Sequence, residues 1–170
     1  PLVFVGHGVT APEYGWDDYA GVDMKGKTAV ILINDPGFAT GDESLFRGKA
    51  MTYYGRWTYK FEEAARRGAA AALIVHQTEP AAYGWETVVN SWSTPQLDHA
   101  TADGNAGRVA IEGWMTEEAA RALFAANGTS LDEAVKRANT RGFRAQPLGS
   151  TATASLRNAI RRTTSNNVAA

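Results

Sequence analysis

Thr58-Tyr59-Lys60-Phe61-Glu62-Glu63-Ala64-Ala65-Arg66-Arg67-Gly68-Ala69-Ala70-Ala71-Ala72-Leu73-Ile74-Val75 is the stretch that decides the fold. Phe61, Ala64, Ala65 and Gly68 recur at i, i+3, i+4 and i+7, so they share one face of a helix over 58–67. Gly68 is a natural stop, because glycine enters the left-handed region that ends helices. Ala69 to Val75 then reads as a buried strand, and the run is far short of the roughly 20 residues that span a bilayer. Upstream, Thr28 to Ile33 is a second apolar run, closed by the turn sequence Asn34-Asp35-Pro36-Gly37. Strand, helix, strand predicts a crossover unit with parallel strands, and so an α/β fold.

The same reading extends outward. Leu2 to Val5 predicts a strand, and Gly6 to Lys27 is rich in turns. A long polar and aromatic loop runs from the Asn34–Gly37 turn to about Trp57, and Gly84 to Asp98 reads as a second aromatic loop. Arg108 to Glu112 predicts a third strand. Thr116 caps a helix whose first turn carries Glu117 and Glu118, where negative charge suits the helix dipole. Ala119, Ala120, Leu123 and Phe124 form its inner face, and Gly128 ends it. Ser130-Leu131-Asp132-Glu133 reads as a capping box opening a helix to about Ala138. From Thr151 to Ile160 the pattern alternates, which predicts a late strand.

The apolar content of 44% suits a packed domain, and Cys is absent, which excludes disulfides and thiolate chemistry. Seven Lys and Arg residues follow Glu133, and no acidic residue does. These arginines are dispersed and have few aromatic companions, so they predict packing along the acidic body or a neighbour rather than nucleic-acid binding. Pro1 leads at once into the strand-like Leu2-Val3-Phe4-Val5, which predicts that the chain is part of a longer protein.

Candidate chemistry is sparse. Gly6-His7-Gly8-Val9-Thr10-Ala11 fits a dinucleotide-binding pattern, but Pro12 and Gly15 oppose the helix it requires, so a tight turn is expected. His7, His76 and His99 lack metal-ligand spacing. Asp17-Asp18 reads as a solvated turn. Neither a G-x-S-x-G nucleophile elbow nor a phosphate-binding loop is present. No catalytic residue and no metal ligand is assigned. The aromatic loops remain, with Tyr53, Tyr54, Arg56, Trp57 and Tyr59 in one and Tyr83, Trp85 and Trp92 in the other. Rings with polar tips offer rigid contact area, and Arg56 suits a carboxylate partner. Tyr53, Tyr54, Arg56, Trp57, Trp85 and Trp92 are therefore the candidate substrate-binding residues. The alternative, that several of these rings fill the core or cover an edge, stands beside it.

Val5-Gly6-His7-Gly8-Val9-Thr10-Ala11-Pro12-Glu13-Tyr14-Gly15-Trp16-Asp17-Asp18-Tyr19, Lys25 to Gly37, Ala50 to Lys60 and Glu63 to Ala70 together resemble the protease-associated domain found in bacterial zinc metallopeptidases related to aminopeptidases and glutamate carboxypeptidases. The resemblance covers most of residues 2 to 100. It implies a compact β-sandwich or open β-barrel with flanking helices over about 1–145. It also implies that 146–170 leads into a peptidase domain, which Ser155 to Arg162 and Ser165-Asn166-Asn167-Val168 resemble in their approach. The implied role is a non-catalytic cover over the active-site cleft that shapes substrate access. The implied partners are the peptidase domain of the same chain and a peptide or protein substrate, with no nucleic acid and no membrane span. No cofactor is implied for this chain, two zinc ions are implied for the peptidase domain, and the implied location is periplasmic or secreted. The alternative is an autonomous peptide- or protein-binding module.

Overall fold

The computed structural model describes residues 1–166. The last residues matched in the resemblance, Asn167 and Val168, lie outside them.

Four parallel strands form the centre: β1 (Leu2–Phe4), β4 (Thr28–Leu32), β5 (Ala71–His76) and β6 (Ile111–Thr116). A fifth, β7 (Gln146–Pro147), adds to β1 antiparallel, giving the order β6-β5-β4-β1-β7. Between β1 and β4, β2 (Thr10–Ala11) and β3 (Trp16–Asp17) form a separate two-stranded antiparallel sheet. The fold is α/β, as the crossover unit predicts. β4 leads through α1 (Pro36–Thr40) and α2 (Trp57–Arg66) to its parallel neighbour β5.

The central strands read as continuous apolar runs because both faces are covered. Val3, Val5, Ala29, Ile31, Ile33, Ala72 and Ile74 pack on the side of Phe61 and Ala64 from α2. Leu2, Phe4, Val30, Leu32 and Val75 face the other side, against α5 (Glu117–Ala126) and α6 (Leu131–Ala138). Phe124 meets Phe4 edge-on at 5.1 Å between ring centroids. Each fully buried side chain of this size contributes about 1.5–3 kcal/mol, so these two faces outweigh any single cap or surface ion pair. The expected sandwich or open barrel is not what covers this sheet: among the described residues helices occupy both of its faces, and the second sheet consists of the two short strands β2 and β3.

Several local expectations are corrected. Gly84 to Asp98 is not wholly loop: Trp85–Trp92 forms α4, preceded by the short α3 (Thr78–Ala81). Trp85, Val88, Val89 and Trp92 fall at helical spacing, a signal masked by the weak helix formers Thr87, Asn90 and Ser91. The loop after Asn34 contains α1, whose Asp35 carboxylate accepts from the Gly37 N–H at 3.1 Å. The third strand runs later than expected, to Thr116, where it meets α5 directly. The Thr116 hydroxyl accepts from Ala119 N–H at 3.1 Å, but Ala119 itself is exposed. Ser130 precedes α6 without a side-chain cap hydrogen bond, so the capping box is not formed. Thr151 to Ile160 forms no strand: it is exposed throughout, because alternation alone supplies no ladder partner. The packed body continues to Ser150, whose carbonyl accepts from Leu2 N–H at 2.9 Å, with Leu148 1% exposed beneath.

Candidate functional site: an aromatic ledge over a buried lysine

A single 3-10 turn, Tyr53–Gly55, delivers the chain to α2. Tyr53 and Trp57 remain 54% and 41% exposed. Tyr53 is held by its hydroxyl, which donates to Glu62 Oε2 at 2.8 Å. Arg56 lies between them in the chain, exposed, and its side chain has no ion pair or hydrogen bond among the described residues. Trp92, on α4, stands edge-on to Trp57 at 5.8 Å and to Phe61 at 6.0 Å. The two aromatic segments therefore meet in space through Trp57 and Trp92. Trp85 sits at the far end of α4, 5.6 Å from the His76 ring. Tyr54 belongs elsewhere: it packs on Phe46 and Tyr59, and its hydroxyl donates to Glu13 at 2.7 Å. Phe46 is fully buried in the left-handed region, φ 51°, a conformation that its contacts with Tyr14, Trp16 and Tyr54 maintain.

Beside the ledge, α2 and the approach to β6 enclose a groove of about 100 Å³. Trp57, Thr58, Phe61, Glu62 and Ala65 form one wall, and Gly107, Arg108 and Glu112 the other. Arg108 is answered by Asp98 at 2.6 Å.

The inner face of α2 carries chemistry that the helix pattern does not announce. Lys60 is fully buried, and its Nζ donates to the carbonyls of His7 at 2.6 Å and Asn34 at 2.7 Å. It thus ties the loop after β1 to the loop after β4. Burial pulls its pKa from 10.5 down to about 7, against the attraction of Asp18 and Asp35. Asp18, expected in a solvated turn, is 1% exposed. Its two oxygens accept from Val9 N–H at 3.0 Å and from the Trp16 indole N–H at 2.7 Å. Burial pushes its pKa up to about 7, while those two donors and Lys60 oppose the shift. Asp18 is buried because β2 and β3 fold the 9–18 segment back on itself, turning this carboxylate inward.

His7 is also buried, and burial followed by the nearby Lys60 charge lowers its pKa to about 4. The neutral ring donates from Nδ1 to the Asn34 carbonyl at 3.2 Å. Nε2 is then an acceptor, so the Asn139 amide 2.7 Å away must present its nitrogen. Gly6 and Gly8, both at positive φ, make the tight turn that holds His7, and Gly8 N–H returns to Val5 O at 2.8 Å. A Cβ on Gly8 would lie 2.9 Å from Ile31 Cγ2. Only a 3-10 turn, Pro12–Tyr14, follows, so this glycine motif does not open the α-helix that dinucleotide binding requires.

One turn further along α2, Glu63 accepts from Thr10 at 2.7 Å, Arg66 at 2.7 Å and Arg67 at 2.9 Å. Burial raises the Glu63 pKa, but these three donors outweigh it and leave the group below its ordinary value. Arg67 continues to Asp17 at 3.1 Å. Lys60, Glu63 and Arg67 share a helix face at i, i+3 and i+7. That spacing shows only that the three charges share a face; it does not say that the face is buried and needs partners.

His76 is buried with Nε2 3.0 Å from the Tyr83 carbonyl. Among the described residues no group of three His, Asp or Glu side chains is placed to hold a metal ion, and no helix is long and apolar enough to cross a membrane. Comparison with protein-family models, with curated proteins and with solved structures found no match.

Proposed function

We propose that this chain is a non-catalytic accessory domain of a zinc metallopeptidase, of the protease-associated type, that lies beside the active-site cleft and governs which peptides enter. The observation that carries the reading is the ledge, where Tyr53, Arg56 and Trp57, close together in the chain, all stay exposed although most other large rings are packed inside. Exposed rigid rings and an exposed guanidinium that has no partner among the described residues suit a peptide and its carboxylate. The resemblance of residues 2–100 to protease-associated segments supports the same reading. It implies a peptidase domain in the same chain and a parent in the periplasm or outside the cell. Two zinc ions bound there would activate a water and stabilise the developing charge. The described residues of this chain contribute position and access to that chemistry.

The test is kinetic, in the peptidase that carries this domain. Arg56→Ala and Trp57→Ala are expected to raise KM roughly three- to tenfold for some peptides of a panel, with zinc content and kcat little changed. Unchanged KM across the panel would remove the ledge from substrate selection. The second reading, an autonomous peptide-binding module, is favoured by the groove beside Trp57, whose two walls come entirely from this chain. Saturable binding of peptides by the isolated chain together with flat KM values for Arg56→Ala and Trp57→Ala supports that reading, whereas altered KM values in the peptidase support the cover.

A further inference from the structure

The groove between α2 and the approach to β6 has a charge balance that selects its occupant. Trp57, Phe61 and Ala65 give the α2 wall an apolar lining, and a carboxylate stands on each wall, Glu62 on α2 and Glu112, with Arg108, on the other. The basic groups nearby are committed. Arg108 is paired with Asp98 at 2.6 Å, and Arg66 is paired with Glu63 at 2.7 Å while lying 3.8 Å from Glu62. Glu112 is half-buried and has neither an ion pair nor a hydrogen bond among the described residues. Burial raises its pKa, with Arg108 opposing and Asp98 reinforcing the shift, so a cation brought to it would relieve an unmet cost. The indole of Trp57, 41% exposed, lines the same groove and suits a cation.

We infer that this groove receives the side chain of a lysine or arginine from a peptide, its methylene stem on Trp57, Phe61 and Ala65 and its charged head between Glu62 and Glu112. A stem with a terminal charge matches an apolar lining with a carboxylate on each side better than a peptide amino terminus, which has no stem. The inference deepens the peptide-access reading and rests on it for its biological meaning, but its test needs no peptidase.

The 170-residue chain is titrated calorimetrically, at low salt, with three probes. These are the tripeptide Gly-Lys-Gly blocked at both ends, its blocked norleucine counterpart, and the norleucine peptide with a free amino terminus. The blocked lysine peptide is expected to bind roughly fivefold tighter than blocked norleucine, a preference that shrinks as salt is raised. Glu112→Gln is expected to abolish the preference while leaving norleucine binding and the circular dichroism spectrum unchanged. Trp57→Ala weakens both blocked peptides. Equal binding of the two blocked peptides, tighter binding of the free-amine norleucine peptide than of blocked lysine, or a preference that survives Glu112→Gln overturns the inference. Any of these results would leave the KM effects of Arg56 and Trp57 standing, whereas flat KM values alongside lysine-selective binding would sink the peptidase-access reading alone.

Discussion

At the scale of single residues, the interior of this protein turns on Lys60. A buried ammonium is costly, and here two loop carbonyls and the nearby Asp18 and Asp35 carboxylates offset the cost. The folded pKa lies near 7 against 10.5 for a free lysine, so between these values the unfolded chain holds a proton that the folded chain has released. The penalty is complete below pH 7 and fades as pH rises toward 10.5, so this residue makes stability climb over that window. Lys60→Met removes the titration, and urea unfolding at pH 8, 9 and 10 is expected to show the parent protein gaining stability relative to the variant at each step. Parallel stability curves would mean that Lys60 keeps an ordinary pKa. His7 and Asp18 change charge at or below about pH 7 and do not create this difference. Lys60 reads as an ordinary surface lysine in the sequence, because helical spacing places it on a face but does not say what that face meets.

At the scale of elements, two neighbouring helices separate a cap that is made from one that is only spelled. The Thr116 hydroxyl accepts from Ala119 N–H, whereas the Ser130 hydroxyl makes no corresponding bond. Thr116→Ala is therefore expected to cost about 1 kcal/mol in a urea-unfolding measurement, and Ser130→Ala close to nothing. Equal losses would mean that α6 draws on its serine after all. The strand–helix–strand unit around α2 was legible because both periods, 3.6 and then a continuous buried run, sit within one stretch. α4 was not, since Thr87, Asn90 and Ser91 dilute its pattern. The helix matters to the site, because it carries Trp92 onto Trp57. Of the candidate ligand contacts, Trp57 meets Trp92, and Tyr53 and Arg56 stay exposed close to Trp57 in the chain. Tyr54 is spent on Phe46 and Tyr59, and Trp85 on His76.

At the scale of the molecule, the packed body closes with β7 on β1 and Leu148 in the core, and the described residues beyond Ser150 are exposed. A chain ending at Ser150 is expected to match the full 170 residues in unfolding midpoint, while one ending at Ala145 loses about 3 kcal/mol or more through Leu148 alone. A marked loss on removing 151–170 would show that this segment packs on the body. The segment also marks the limit of pattern reading: Thr151 to Ile160 alternates like a strand, yet a strand exists only where another backbone offers its hydrogen bonds. The amino-acid order by itself determined the α/β class, the parallel crossover through α2, the glycine turn around His7 and the cap at Thr116, because each depends on residues close together in the chain. Only the tertiary structure decided that Lys60 and Asp18 are buried, that Trp57 meets Trp92, and that Glu62 faces Glu112 across a groove. Those outcomes depend on which distant surfaces come together, and burial is set by the neighbour rather than by the residue.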